Sequence, residues 1–124
     1  MMHPLVKAPQ RGEIWLTNLP YTNTSVQGLT RPVVIVSNNI GNQHSNICLV
    51  VPMTTKDKPE LPTHVKFMHN GKPNTILCEQ VLTVSMDNLL YKVGEINFAL
   101  TNDLNNALEI ALALKEPNYD RKTI

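Results

Sequence analysis

The sequence predicts a mainly β (α+β) domain with one C-terminal α-helix, and two patterns support this prediction. Six short segments have the alternating or continuously apolar character of β-strands. One stretch near the C-terminus carries apolar residues at helical spacing. In a chain of 124 residues, this combination favours a strongly bent antiparallel sheet that closes toward a barrel, with the helix over one open side.

The predicted strands follow one another through the first three quarters of the chain. The strand at 12–17 alternates polar with apolar residues, and a polar loop of about eleven residues (20–30) separates it from an apolar run. Residues 38–42 and 53–59 have the composition of turns and loops, and Asn70-Gly71 is a strong turn signal. The remaining strands are predicted at 33–37, at 46–51 (ended by Pro52), at 63–67, at 74–82 and at 91–96.

The helix is predicted over residues 104–114, where apolar side chains recur with a period of about 3.6 residues. Thr101 or Asn102 would cap its start, and Pro117 would end it. The sequence therefore predicts one domain over 10–116, an N-terminal extension over 1–9 and a C-terminal tail over 117–124.

Composition excludes several classes of protein. With 42% hydrophobic residues and a net charge of +1, the chain is too apolar and too evenly charged to be disordered. It has no apolar run of roughly 20 residues and no signal-peptide pattern at its start, so no membrane segment and a cytoplasmic location are expected. Cys48 and Cys78 sit inside apolar runs and are predicted to be small buried side chains.

Motifs for cofactor or metal chemistry are missing from the sequence. It contains no phosphate-binding P-loop, no dinucleotide-binding glycine motif and no Gly-x-Ser-x-Gly nucleophile elbow. The four histidines are scattered and have no metal-ligand spacing. Any catalysis is therefore expected to need neither a cofactor nor a metal ion.

Polar residues at the ends of predicted strands are the candidates for a functional site. Arg31 stands between the polar loop and a buried strand, Thr54 and Thr55 follow another strand, and Glu79-Gln80 interrupt an apolar run. Taken singly, Arg31 would ordinarily be a salt-bridge partner and Thr54 a turn cap. Glu79 and Gln80 would ordinarily form hydrogen bonds to loop backbone. Their combination beside a long polar loop indicates a site.

Three motifs in colinear order resemble the MazF/PemK-type toxins of bacterial toxin–antitoxin systems. They are Arg-Gly-Glu at 11–13, Gln-Gly at 27–28 followed by Arg-Pro-Val at 31–33, and Glu-Gln at 79–80. The similarity also includes Pro-Met-Thr-Thr at 52–55 and the terminal helix, and it covers residues 10–114.

The resemblance implies an SH3-like (CcdB-like) β-barrel that forms a homodimer. It also implies a metal-independent endoribonuclease that cuts single-stranded RNA, mRNA above all, at a short sequence and leaves a 2′,3′-cyclic phosphate and a 5′-OH. A MazE-like antitoxin would hold the toxin inactive by placing its C-terminal segment over the RNA groove.

The resemblance also assigns roles to residues. Arg31 matches the family's catalytic arginine and Thr54 its catalytic threonine. The residues expected to bind substrate are Ser25, Gln27, Gly28, Thr55, Glu79 and Gln80. Some relatives place an arginine two residues before the acid that Glu79 matches, whereas this chain has Leu77 there, which argues against Glu79 as a general base. Val26 replaces an acid that close relatives often carry, so the cleavage sequence does not transfer.

Two other functions are compatible with the fold. A CcdB-type toxin has the same fold but binds gyrase through a terminal Trp-Gly-Ile, whereas residues 121–124 here read Arg-Lys-Thr-Ile and the only tryptophan is Trp15. A catalytically inactive module that binds RNA or an antitoxin is the third possibility, and the presence of Arg31 and Thr54 argues against it.

Overall fold

The structure, a computed structural model, describes residues 7–19 and 29–116. Within these residues it contains two α-helices, seven strands and one 3₁₀ turn at Met86–Asn88. In chain order the strands and helices are β1 (Glu13–Leu19), β2 (Leu29–Ile35), α1 (Asn39–His44), β3 (Ile47–Thr54), β4 (His64–His69), β5 (Lys72–Leu77), β6 (Leu82–Ser85), β7 (Leu89–Glu95) and α2 (Phe98–Ala111).

The strands form one curled antiparallel sheet in the order β4-β5-β3-β2-β1-β7, and β6 also pairs with β3. Strand β3 is central to this sheet because it pairs with three strands. Residues 47–50 pair with β6, residues 50–52 with β2, and the last two residues with β5. The curl produces a half-barrel. The mainly β class with a C-terminal helix, predicted from strand patterning, is therefore confirmed.

Alternating side chains build an apolar cluster on each face of the sheet. The first lies under α2, which contributes Leu104, Ala107 and Leu108 to it. The second lies on the opposite face and contains Val33, Ile35 and Val50. Helix α2 thus covers one side of the sheet as predicted. Among the described residues, no helix is long and apolar enough to cross a membrane.

Three predicted strand boundaries are wrong. Strand β2 begins at Leu29, within the predicted polar loop 20–30, so Arg31 lies inside the strand and not at its junction with the loop. Strand β3 does not end at Pro52 but runs to Thr54, and proline is tolerated there because β3 changes partners at this point. The predicted strand 74–82 is two strands, β5 and β6, joined by a turn in which the Gln80 N–H donates to the Leu77 carbonyl at 3.1 Å. Glu79 and Gln80 therefore lie in an exposed turn, which explains two polar residues inside an apolar run.

The helices also depart from the prediction. Helix α2 begins at Phe98 because the Asn97 side chain accepts a hydrogen bond from the Leu100 N–H at 2.9 Å; neither Thr101 nor Asn102 caps it. The predicted turn at 38–42 is the start of the short helix α1, which Asn38 caps in the same way. Asparagine is favourable both in turns and at helix caps, so composition alone did not separate the two.

Candidate active site

Polar side chains occupy matching positions on five neighbouring strands. Thr17 pairs with Arg31 between β1 and β2, Thr54 pairs with Thr75 between β3 and β5, and Lys66 pairs with Thr75 between β4 and β5. Extending the β2–β3 register by two residues beyond the Val33–Pro52 pair places Arg31 opposite Thr54. Residues directly opposite one another point to the same face of a sheet. The polar row is therefore Thr17, Arg31, Thr54, Thr75 and Lys66.

Arg31 is the charged centre of the polar row. Its side chain is half-buried, and within residues 7–19 and 29–116 it has no ion pair and no side-chain hydrogen bond. The ordinary interpretation of Arg31 as a salt-bridge partner is therefore not supported in this part of the chain. A guanidinium offers five N–H donors in a planar fork that fits phosphate oxygens, and here these donors remain available.

Thr54 lies in the adjacent strand and does have the structural role of a turn cap. Its hydroxyl accepts a hydrogen bond from the Lys56 N–H at 3.1 Å, where the chain leaves β3. This bond uses an oxygen lone pair and leaves the hydroxyl hydrogen to be donated. The β2–β3 ladder ends at the Val33–Pro52 pair, and Arg31 and Thr54 each lie two residues beyond it at the same end of the two strands.

A groove of about 590 Å³ opens beside the polar row and shares Thr75 and Lys66 with it. Among the described residues, neither Lys56 nor Lys66 has an ion-pair partner in this groove. We call it the lysine groove; it is lined by Thr55, Lys56, Asp57, Lys66, Phe67, Met68, Pro73, Asn74 and Thr75. The predicted site residue Thr55 thus lies next to the row, together with two cations, one carboxylate and three apolar side chains.

Glu79 and Gln80 lie elsewhere. They follow Thr75 by four and five residues, which separates them from the row by up to about 14–18 Å of extended chain. Burial tends to raise the pKa of Glu79, but hydrogen bonds from its own N–H, His64 and Thr63, together with the charge of His64, hold that pKa below its usual value. A carboxylate engaged in this way, in the turn after β5 and outside the row, is poorly placed to be a general base for the row.

Three predicted residues, Ser25, Gln27 and Gly28, lie outside the described residues. The structure instead adds Lys66, Thr75 and His64 to the residues of interest, none of which sequence patterning selected. Their importance arises from pairing between distant strands, and a single sequence gives little indication of such pairing.

The Arg-Gly-Glu motif is part of the framework of the fold. Gly12 has a φ of 91°, a conformation that favours glycine, and its N–H donates to the Ile35 carbonyl at 2.8 Å. The Glu13 carboxylate accepts from the Gln10 N–H and the Trp15 Nε1–H, and lies 3.2 Å from the Lys92 Nζ. This motif therefore fixes the start of β1 against β2 and β7.

The cysteines and the metal-ligating residues give no second chemistry in the described part of the chain. Cys48 and Cys78 are buried, as predicted, and burial raises the pKa of their thiols to about 11 and about 12. Neither is a thiolate at neutral pH. Across residues 7–19 and 29–116, no group of three or more His, Cys, Asp or Glu side chains could hold a metal ion.

The whole domain matches one family of known proteins. The family model described as "PemK-like, MazF-like toxin of type II toxin-antitoxin system" matches residues 10–112. The chain belongs to this family. A MazF endoribonuclease of Staphylococcus saprophyticus is 34% identical over 110 residues, which span 85% of this chain and 92% of that protein. The endoribonuclease EndoA of Bacillus subtilis is 32% identical over 110 residues, and the aligned region covers 85% of this chain and 95% of EndoA.

Solved structures agree with the family assignment. A mycobacterial endoribonuclease, determined in complex with its cognate antitoxin, superposes with a TM-score of 0.75 at 31% identity, covering 89% of this chain and all of that one. MazF from Deinococcus radiodurans superposes with a TM-score of 0.72 at 18% identity, covering 86% of this chain and 97% of its own. The latter supports the fold alone. The PemK/MazF resemblance predicted from three motifs is thereby confirmed.

Proposed function

We propose that this chain is the toxin of a type II toxin–antitoxin pair and that it cuts single-stranded RNA by a metal-independent mechanism. The observation that carries the proposal is the polar row, in which Arg31, whose side chain is bonded by no described residue, and Thr54 lie on neighbouring strands, each two residues beyond the Val33–Pro52 pair. Family membership and relatives named as endoribonucleases support the same activity. Its site of action would be the bacterial cytoplasm, where the RNA substrate is found.

RNA supplies its own nucleophile, which explains why a short polar row would suffice. The ribose 2′-OH attacks the adjacent phosphorus, a 2′-O–P bond forms, and the bond to the 5′-oxygen breaks. The products are a 2′,3′-cyclic phosphate and a 5′-OH. The protein must orient the 2′-OH in line and stabilise the charge on the pentacoordinate phosphate. Arg31 would provide the charge, and the Thr54 hydroxyl would donate to a nonbridging oxygen.

The first test is incubation of purified protein with a long defined RNA in the presence of EDTA. We expect fragments at a short recurrent sequence, with 2′,3′-cyclic phosphate ends, and no such fragments with Arg31→Ala. Intact RNA at micromolar protein would contradict the proposal and favour a gyrase-binding toxin or an inactive binding module. Inhibition of gyrase by the same preparation would then separate these two.

The lysine groove would carry the RNA backbone away from the scissile phosphate. Lys66 ends the polar row, and Lys56 lies across the same groove, so both can contact phosphates on one side of the cut. The apolar surfaces of Phe67 and Met68 would pack against a base. Ser25, Gln27, Gly28 and Gln80 would provide further RNA contacts, as expected from the family pattern.

Removal of one cation of this groove should reduce the salt dependence of RNA binding. For Lys66→Gln we expect weaker binding of single-stranded RNA and a log–log salt slope smaller by about 0.7 for each phosphate that is no longer neutralised. Fluorescence anisotropy across a salt titration, with inactive Arg31→Ala as the common background, measures both quantities. Lys115→Gln is the control, because Lys115 lies beyond α2, with its Nζ 3.8 Å from Glu109. Equal slopes for both variants would exclude Lys66 from the RNA path.

We also propose a cognate, MazE-like antitoxin partner. A structural relative is complexed with its cognate antitoxin, and other structures contain MazE with MazF. An antitoxin segment lying over the polar row and the lysine groove would exclude RNA directly. Competition between antitoxin peptide and RNA for the same protein would test this arrangement.

A homodimer is the third proposal, and an apolar patch beyond the end of α2 is the surface that supports it. Leu112 and Leu114 are 57% and 72% exposed, and with Leu49 of β3 they line a groove of about 320 Å³. From the sequence, the helix 104–114 and the strand around Val50 are expected to supply the apolar dimer surface, but Val50 itself is fully buried in the protomer. Its exposed neighbours Ile47 and Leu49 supply the apolar surface instead.

A charge placed in this patch should prevent self-association. We expect Leu112→Asp to shift the molecular mass measured by light scattering from dimer toward monomer, since an unpaired carboxylate is costly to bury. Lys72→Asp, a charge change on β5 away from the patch, is the control. A dimer of unchanged stability in Leu112→Asp would place the interface elsewhere.

A further inference from the structure

His64, the first residue of β4, has both ring nitrogens against hydrogen-bond acceptors. Its side chain is 4% exposed, its Nδ1 lies 2.7 Å from the Pro59 carbonyl oxygen, and its Nε2 lies 3.0 Å from a Glu79 carboxylate oxygen. A carbonyl and a carboxylate can only accept hydrogen bonds, and a neutral imidazole carries a single N–H. Satisfying both contacts therefore requires the doubly protonated, cationic ring.

This ring joins two segments that are otherwise remote in sequence. Pro59 belongs to the segment 55–63, which follows Thr54, and Glu79 belongs to the turn 78–81, next to Gln80. Nearby, the Cys78 N–H donates to the Thr63 carbonyl at 3.0 Å, and the Thr63 side chain is hydrogen-bonded to Glu79; both contacts fix the base of the two segments but do not reach Pro59. Within the described residues, His64 provides the side-chain bridge between Pro59 and the turn.

Charged groups from three elements lie around His64. Glu79 faces it directly from the turn, and Asp103 from α2 lines the same small cleft. Lys66, two residues along β4, opposes them from the same side of the strand. The pKa of Glu79 is held below its usual value, which keeps its carboxylate ionised through the neutral range and down into mildly acidic pH.

We propose that His64, in its protonated form, is a positioning residue for RNA cleavage: it latches the segment 55–63 to the turn 78–81 and so holds Thr55 and Gln80 in one arrangement toward the RNA. The inference rests on the proposed ribonuclease function. Arg31 and Thr54 are held by strand pairing and do not depend on the latch. Loss of the latch should therefore weaken RNA binding more than it slows the chemical step.

The kinetic test compares His64→Gln, Glu79→Ala and the double variant on one short RNA substrate. We expect each single variant to raise KM about threefold or more, with kcat changed by less than about twofold. The double variant should be no worse than the poorer single variant, because both substitutions break the same bridge. Additive increases in KM would show that His64 and Glu79 act separately and would overturn the latch.

A pH profile separates positioning by a charged ring from simple packing. The wild-type KM should rise with pH as the ring loses a proton, because one ring nitrogen then faces its acceptor without a hydrogen. The His64→Gln profile should be flat over that range. Parallel profiles would overturn the proposal. Circular dichroism melting identifies any variant that fails to fold, and in that case the wild-type profile alone decides.

A measurement without RNA tests the His64 bridge separately from the proposed ribonuclease function. Histidine-ring ¹⁵N NMR of the folded wild type should show N–H signals on both nitrogens of His64 at neutral pH, assigned by their loss in His64→Gln. A neutral ring with a single N–H would overturn the latch even if RNA is cut. Two ring N–H signals in a protein that cuts no RNA would support the bridge while contradicting the ribonuclease function.

Discussion

Arg31→Ala should lower the rate of RNA cleavage at least about a hundredfold, since one lost charge-stabilising donor typically costs about 2.7–4 kcal/mol of transition-state stabilisation. Among the described residues the Arg31 guanidinium makes no ion pair, so the substitution breaks none there. The thermal midpoint should therefore stay close to that of the wild type. Single-turnover cleavage of a defined RNA, measured beside a melting curve, checks both parts.

Two further substitutions determine which property of Arg31 matters. Arg31→Lys keeps the charge but loses the planar fork, so we expect an intermediate rate. Lys115→Ala removes a cation far from the polar row and should leave the rate unchanged. If Arg31→Ala retained more than about a tenth of the wild-type rate, Arg31 would not be the main electrostatic stabiliser of this reaction.

The fold could be predicted from the sequence where one side of an element is apolar. Strand β1 alternates visibly, β2 and β3 have continuous apolar runs, and α2 has a helical stripe, so their existence and type were predicted correctly. Their ends depend on single polar side chains and on changes of strand partner. Asn97 capping α2 and β3 continuing through Pro52 are tertiary outcomes that a periodicity cannot indicate.

Part of the candidate site could be predicted from the sequence, and part could not. Arg31 and Thr54 were selected by their position at strand ends and by the family pattern, and in the structure each lies two residues beyond the Val33–Pro52 pair of neighbouring strands. Lys66 and His64 were not selected, because in the sequence they are ordinary members of an alternating strand. What distinguishes them is a paired threonine on β5 and a proline carbonyl in a loop. Both partners are near in sequence, nine and five residues away, but periodicity does not show that these side chains meet them.

The motifs that identify the family divide between folding and chemistry. Gly12 and Glu13 hold β1 in place through backbone geometry and a half-buried, hydrogen-bonded carboxylate, and they lie away from the polar row. Arg31 and Thr54 offer donors to a ligand. A substitution at Glu13 should therefore reduce activity only through stability, whereas one at Arg31 should reduce activity at constant stability. The two effects can be separated by comparing rates with melting curves.

Leu104→Ala should lower the free energy of unfolding by about 2–5 kcal/mol, the usual effect of truncating a fully buried leucine. Leu104 is 0% exposed and anchors α2 in the cluster that contains Ile14, Val34 and Val51. Chemical denaturation at one fixed protein concentration measures the change, since self-association would make stability depend on concentration. Asn102→Ala, on the exposed side of the same helix, is the control and should change stability by less than about 0.5 kcal/mol. A loss below about 1 kcal/mol for Leu104→Ala would mean that α2 does not close the core, and the open side of the half-barrel would then have to be covered by a partner.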